Sequence, residues 1–296
     1  MLRSGANCGC RDSTSRANQC QKPARSGGSS IEPRHDHTGW GNGAQPRLCL
    51  IFAPGTRPDL AALAALAAQA PADGFGHFTV SHQSPEQETA TGGGAWAELL
   101  CNGLTFDCSG LTPGEGDELP PIGPLVGLGV PPIGEIVSLA PGPHLAGGAG
   151  LLPVLATLAT LGARLAALGG VQAVTWTPAG AWAAPDIFRR AIADWQTGGP
   201  FPGLVLTALR QEPNGAMVSQ GLELLTGQEL RIEPDKRLAA GTMARIAVRL
   251  IHELVQSGPI TGEHDFVGPD GELLLAVPVR GGAQVRILLR GPGPQP

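Results

Sequence analysis

The chain lacks several residue types that would point to a function. Its 296 residues include no Tyr and only two Lys, and charged residues make up 15% of the composition. Residues 1–47 contain seven Arg and Lys against three Asp and Glu, whereas the remaining residues contain thirteen against twenty-two. A nucleic-acid surface needs clustered Lys and Arg to neutralise phosphates. The acidic body of the chain therefore argues against nucleic-acid binding.

Long hydrophobic runs are also missing. The first thirty residues contain no apolar segment of the kind that forms the centre of a signal peptide. The longest apolar stretch, residues 151–168, contains Pro153 and Arg164 and is short for a bilayer span. The sequence therefore predicts a cytoplasmic protein without a membrane partner.

Six cysteines are present, but their spacing matches no usual metal site. Cys8, Cys10 and Cys20 precede His35 and His37, whereas paired ligands of structural zinc are typically two to four residues apart. Because no secretory signal is visible, the thiols are expected to be reduced. We predict neither a metal nor a cofactor.

Catalytic motifs are equally scarce. The nucleophile-elbow pattern G-x-S-x-G does not occur. His252 and Glu253 lack the second histidine of the H-E-x-x-H zinc motif. We therefore assign no catalytic residue, and we favour a protein that is not an enzyme.

Glycine and proline are abundant, with 44 and 28 residues, which predicts many turns and long loops. Residues 1–46 contain almost no Leu, Ile, Val or Phe and cannot bury enough apolar area to offset the entropy of ordering. We predict a disordered tail there, which either belongs to the natural chain or lies before its start. A second disordered end is expected at 291–296. Order is expected over residues 47–290.

Strand and helix periodicities are interleaved over residues 47–290, which predicts a single α+β domain with mixed or antiparallel sheets and packed helices. Two ferredoxin-like halves, 47–134 and 135–290, sharing one core would fit this order. The irregular region 109–134 is a domain boundary, a flap or an internal connection, and we favour the connection because strands flank it. The predicted strands are 48–53, 77–82, 97–106, 135–140, 171–178 and 229–234, with hairpins at 213–215 and 281–282. The predicted helices are 59–70, 151–168, one beginning at Pro185, and 242–257.

One glycine-rich loop, "HLAGGAG" at residues 144–150, lies between a predicted strand and a predicted helix. Backbone N–H groups in such loops can bind phosphate, so His144, Gly147 and Gly148 are candidate ligand-binding residues. The P-loop lysine and the dinucleotide G-x-G-x-x-G register are absent. Glycine also permits tight turns and close packing. The loop is therefore either a packing turn or a small-ligand or anion site.

The stretch 173–290 resembles the bacterial family called domain of unknown function 4261. The resemblance is carried by "AVTWTPAGAWAAPDIFRRA", "FPGLVLTAL", "SQGLELLTGQELRIEP" and "SGPITGEHDFVGPDGE". It extends loosely back to Leu48 and includes "LAPGPHLAGG", and the chain departs from the pattern at Leu225 and Thr226. The family pattern falls on Trp176, Gly221, Leu222, Gly227 and Glu229. The resemblance implies a bacterial protein but supplies no activity and no catalytic residue.

Two functions follow as expectations. The first is a non-enzymatic interaction or accessory protein of the bacterial cytoplasm, with a protein partner that the sequence does not identify. The alternative is a small-ligand or anion-binding protein, including an enzyme, that uses His144, Gly147 and Gly148.

Overall fold

The chain folds into two sheets with helices packed against them, which confirms the predicted α+β class. A computed structural model describes residues 45–70, 75–85 and 94–290. These residues belong to one compact unit. The predicted disordered end at 291–296, and all but the last two residues of the predicted tail at 1–46, lie outside the described residues.

The secondary structure follows most of the predicted segments. The strands are β1 (Leu48–Phe52), β2 (Phe78–Gln83), β3 (Ala95–Cys101), β4 (Leu104–Leu111), β5 (Leu125–Val126), β6 (Glu135–Pro141), β7 (Val171–Trp176), β8 (Trp182–Ala183), β9 (Ala208–Gln211), β10 (Met217–Gln220), β11 (Glu229–Ile232), β12 (His264–Val267), β13 (Leu273–Val279) and β14 (Gln284–Leu289). The longer helices are α1 (Leu60–Ala68), α2 (Leu152–Leu165), α3 (Pro185–Gln196) and α4 (Ala240–Ser257). Short helical turns lie at Pro143–Gly148, Gly203–Leu206, Glu223–Thr226 and Arg280–Gly282.

Eight strands form the first sheet, in the order β2-β3-β4-β6-β1-β7-β8-β5. The central strand β1 is a continuous apolar run that is buried on both faces, as expected for a strand that is covered on both sides. Its residues Leu48, Leu50 and Phe52 belong to the main core with the helices. Cys49 and Ile51 point to the opposite face and belong to a smaller cluster. The two faces of this sheet therefore have different surroundings.

Helix α2 packs closely on the central strand. Its sequence is apolar nearly all round, and most of its residues are buried. A Cβ atom at Gly162 would lie 1.9 Å from Cδ2 of Leu48, so glycine permits this close approach. Among the described residues, no helix combines the length and the apolar character needed to cross a bilayer.

The second sheet has the strand order β12-β13-β14-β11-β10-β9, in which β11 and β14 are parallel. Helix α4, predicted at 242–257, contacts β10 and β11 and buries one apolar face. The buried residues of this face are Met243, Ile246, Ala247, Leu250, Ile251 and Leu254. Three strands precede and three follow this one long helix, unlike the ferredoxin-like order β-α-β-β-α-β. The first sheet also runs on to Ala183, across the suggested division between residues 134 and 135.

Two predicted segments, 97–106 and 109–134, can be compared directly with the structure. The single strand predicted at 97–106 is a hairpin of β3 and β4 that turns at Asn102 and Gly103, whose φ angles are 50° and 77°. Positive φ at both positions suits the Asn-Gly pair of a two-residue hairpin turn. The region 109–134 is an internal connection, because it contributes β5 to the first sheet beside β8.

Three cysteines provide a test of the core. Cys49, Cys101 and Cys108 are free and buried. Burial raises the pKa of all three thiols, and it raises the pKa of Cys108 to about 12. Because the thiolate is the reactive form, we expect Ellman's reagent at pH 8 to modify them at least about 100-fold more slowly in the native protein than in urea. Mass spectrometry of the labelled peptides measures this, and rapid native labelling of Cys108 would contradict the packing of β4.

Candidate functional site

A cleft of about 1060 Å³ lies on the face of the first sheet opposite the helices. Along β3 and β4, residues such as Ala97 and Cys108 point into the helix-covered core. Because side chains alternate along a strand, their neighbours Glu98, Asp107 and Ser109 point to the other face and line the cleft. The alternation of polar and apolar residues on this hairpin therefore builds the floor of the cleft.

Arg47, close to the first described residue, forms part of the rim of the cleft. The backbone N–H of Arg47 donates to Oγ1 of Thr177 at 3.0 Å, and the Arg47 carbonyl accepts from the Thr177 N–H. One Arg47 guanidinium nitrogen lies 4.0 Å from the Asp117 carboxylate. The same carboxylate accepts a hydrogen bond of 2.7 Å from the Ser109 hydroxyl. Arg47 and Asp117 therefore stand together at one side of the cleft.

Two carboxylate side chains lie next to each other on the floor of the cleft. Glu98 on β3 and Asp107 on β4 are directly paired residues. The Ser81 hydroxyl and Nδ1 of His82 lie 2.6 and 2.9 Å from Oε1 of Glu98, and these hydrogen bonds lower the pKa of Glu98. Burial raises the pKa of Asp107, and the negative charge of Glu98 adds to the rise. The pKa values of the two carboxyl groups are therefore shifted in opposite directions.

Asp107 is the less satisfied member of this pair. Its side chain is half-buried, and within the described ranges it accepts no hydrogen bond. A carboxylate that is partly desolvated without a donor is stabilised by a nearby cation. The position of Asp107 on the floor therefore favours a positively charged ligand.

The surroundings reinforce this preference. Among the described lining residues, Glu115 and Asp117 add two more carboxylates, against the single guanidinium of Arg47. Trp96, which is 39% exposed, also lines the cleft. An exposed indole face attracts cations through its quadrupole. The cleft therefore combines an excess of negative charge with an aromatic surface.

Nucleophilic chemistry is poorly supported at the floor. The thiol of Cys49 lies 3.5 Å from the hydroxyl of Ser138, which lines the cleft. Burial raises the pKa of Cys49, so its thiol stays protonated at neutral pH. Within the residues that the structure covers, no group of three or more His, Cys, Asp and Glu is placed to hold a metal.

The glycine-rich loop lies beside this cleft. His144, Gly147 and Gly148 fall within the helical turn Pro143–Gly148, and α2 begins only at Leu152. The His144 ring is exposed, and its Nε2 lies 3.0 Å from the Thr105 hydroxyl. The carboxyl groups of Glu98 and Asp107 interact electrostatically with His144. Negative charge near His144 disfavours an anion at this point.

The glycines of the loop differ in how much space a side chain would have at each position. A Cβ atom at Gly147 would meet nothing within 4 Å, and one at Gly148 would meet only the Leu151 side chain. Neither glycine has a positive φ. A Cβ atom at Gly150 would lie 2.2 Å from the carbonyl oxygen of Leu224. The close approach that requires glycine is therefore at Gly150, and the packing interpretation applies there.

Sequence reasoning missed the cleft itself. Its residues come from segments far apart in the chain, and Arg47 and Thr177, which bond to each other, are 130 positions apart. A local signal was nevertheless present, because polar and apolar residues alternate on both sides of the Asn-Gly turn. Reading that turn as a hairpin would have placed Glu98 and Asp107 on one exposed face.

The fold and the site together define an α+β protein with an acidic cleft on one sheet face. No family model matches the chain, and no curated protein or solved structure matches it. The resemblance to domain of unknown function 4261 therefore stays a prediction.

Proposed function

We propose that the protein is a non-enzymatic interaction protein of the bacterial cytoplasm that binds a positively charged protein segment in its acidic cleft. The observation that carries this proposal is the cluster of Glu98, Asp107, Glu115 and Asp117 around one cleft, next to the exposed Trp96. Fields from charges of one sign concentrated in a cleft attract an oppositely charged partner. Lysine or arginine side chains of a partner would contact the carboxylates of this cluster and the aromatic face of Trp96.

Binding of a positively charged segment should depend on pH. A cation bound beside Asp107 favours the ionised carboxylate, so binding lowers the raised pKa of Asp107. We therefore expect affinity to fall as the pH drops through the pKa of Asp107, and binding in that pH range to release protons. High salt should weaken binding because exposed charges are screened.

Calorimetric titration with hexa-arginine at low salt tests whether the cleft binds a positively charged segment. Removing two of its charges in the double variant Glu98→Gln/Asp107→Asn should weaken binding about tenfold, or ~1.4 kcal/mol. The control is Asp186→Asn/Asp194→Asn, which makes the same change in net charge on exposed positions of α3. We expect the control to change affinity less than about twofold. Equal losses in the two variants would show that only overall charge matters and would count against the cleft.

The alternative function, a small-ligand or anion site at His144, Gly147 and Gly148, would use the exposed His144 ring and the open space at Gly147. An anion that binds the folded state raises the thermal midpoint by mass action. We expect millimolar phosphate, ATP or NAD to produce no rise. A rise that His144→Ala or Gly148→Ala abolishes would establish the loop as the binding site instead.

A further inference from the structure

A smaller groove of about 300 Å³ adjoins the acidic cleft. Gln45 and Arg47 line both spaces, so the groove and the cleft meet at these two residues. The groove also has an apolar wall and a second guanidinium, that of Arg210. A chain bound in the cleft therefore reaches a neighbouring space with a different chemistry.

Exposed apolar side chains form one wall of this groove. Leu119 and Ile122 are 42% and 55% exposed, and neither belongs to a core cluster. The main chain of this wall is held in place by the buried Trp182, whose indole N–H donates to the carbonyl oxygen of Pro121 at 3.3 Å. The backbone N–H of Trp182 donates to the carbonyl oxygen of Pro124 at 2.8 Å. A wall that is already ordered lowers the entropic cost of binding a ligand.

Arg210 on β9 provides a positioned cation in the groove. Its Nε donates to Oε1 of Gln220, and Nε2 of Gln220 donates to the carbonyl oxygen of Pro178 at 3.2 Å. Arg210 is exposed, and no described carboxylate forms an ion pair with it. A guanidinium binds a carboxylate through charge-assisted hydrogen bonds from its nitrogens. The two terminal nitrogens of Arg210 are therefore available to a carboxylate of a ligand.

The groove and the cleft differ in the sign of their charge. Among the described lining residues of the groove, Arg47 and Arg210 stand against one carboxylate, that of Glu118. The described lining of the cleft has four carboxylates and one guanidinium. Complementary charges across an interface determine which partner binds and in which register. A matching segment therefore carries positive charge in the cleft and negative charge where it reaches Arg210.

We propose that the groove binds the C-terminal residue of the partner segment, with its apolar side chain against Leu119 and Ile122 and its carboxylate on Arg210. One small space offers both an apolar wall and an unpaired cation, so one residue has to present both an apolar side chain and a carboxylate. Aspartate and glutamate have no apolar side chain, whereas a C-terminal leucine, isoleucine or valine has both groups. Capture of a C-terminal carboxylate is a known mode of peptide recognition.

This inference rests on the proposed function, because the same segment places its basic residues in the acidic cleft. The probes are peptides of four arginines, one to four glycines and a C-terminal leucine, each made as the free acid and as the amide. Amidation removes a negative charge, so attraction to a protein of net charge −5 would by itself favour the amides. We expect the opposite in calorimetric titration at low salt. At least one free acid should bind about fivefold more tightly than its amide, because only the acid contacts Arg210.

Variants of the protein separate the two sites. Arg210→Gln should reduce the preference for the acid to less than about twofold while both peptides still bind. The control is Arg249→Gln, at an exposed arginine of α4 that also lacks an ion pair with any described residue, and it should keep the full preference. The cleft variant Glu98→Gln/Asp107→Asn should weaken the acid and the amide alike.

The possible failures differ in what they contradict. The inference is wrong, and the acidic cleft stands, if the peptides bind but no acid binds more tightly than its amide, or if Arg210→Gln keeps the preference. It is also wrong if an amidated peptide ending in leucine and aspartate binds as tightly as the best free acid, because a side-chain carboxylate would then suffice. If no peptide binds the wild type, or if the cleft variant binds every peptide equally well, the proposed function fails and this inference fails with it.

Discussion

Replacing Arg164 with methionine should lower the free energy of unfolding by about 2–4 kcal/mol. The side chain is 4% exposed, and its guanidinium donates to the carbonyl oxygens of Leu66, Gln69 and Gly76 at 2.9, 3.1 and 3.2 Å. It also lies 5.4 Å from the centre of the Phe78 ring. Methionine fills much of the volume but leaves these carbonyls without their donor. Urea unfolding followed by circular dichroism measures the loss.

The cation is stabilised there by the end of a helix. Leu66 and Gln69 lie at the C-terminal end of α1, where the helix dipole favours positive charge. Burial lowers the pKa of Arg164, yet among the described residues it has no carboxylate partner. The matched control is Arg190→Met, at a side chain that is 70% exposed on α3, and it should cost less than about 0.5 kcal/mol. Similar losses at the two positions would contradict the proposed role of Arg164.

Replacing Gln228 with glutamate should cost about 3–5 kcal/mol at pH 7. The amide group of Gln228 donates to the carbonyl oxygens of Ile260 and Gly282 at 2.9 and 2.7 Å. Its oxygen accepts from the Ile260 N–H at 2.8 Å, which fixes the orientation of the amide. The side chain is 4% exposed and joins the loop after α4 to the turn before β14. A carboxylate would place negative charge against two carbonyl oxygens.

The pH dependence of this variant gives a second check. The introduced carboxyl group would have a raised pKa in the folded state, because burial and the facing carbonyls disfavour its ionised form. Its folded state then binds a proton more tightly than its unfolded state, so the loss of stability should shrink as the pH falls. Gln256→Glu, at an exposed position on α4, is the control and should change stability by less than about 0.5 kcal/mol. A pH-independent loss would show that the introduced group is not buried.

Much of the fold could be predicted because its elements have strong local patterns. The buried face of α4 and the continuous apolar run of β1 follow directly from periodicity. Strand β12 was missed because His264 and Asp265 give its four residues no apolar pattern. Sheet order could not be predicted either, because strands that pair across long sequence separations leave no local signal.

The acidic cleft was harder to predict than the core. The glycine-rich loop is recognisable in the sequence as a local motif. The negative charge near His144, however, comes from Glu98 and Asp107 on the hairpin of β3 and β4. The polarity of that site depends on residues that only the folded sheet brings together. The local motif of the loop therefore gave no indication of the carboxylates that lie beside it.

An NMR titration of the isotope-labelled protein with hexa-arginine tests the acidic cleft most directly. We expect the largest shift changes at the Trp96 indole N–H and at the backbone amides of Glu98 and Asp107, with Gly147 and Gly148 nearly unchanged. We expect these shift changes to be lost in the double variant Glu98→Gln/Asp107→Asn. Changes spread evenly over the acidic surface, or concentrated at Gly147 and Gly148, would contradict the assignment of the cleft as the binding site.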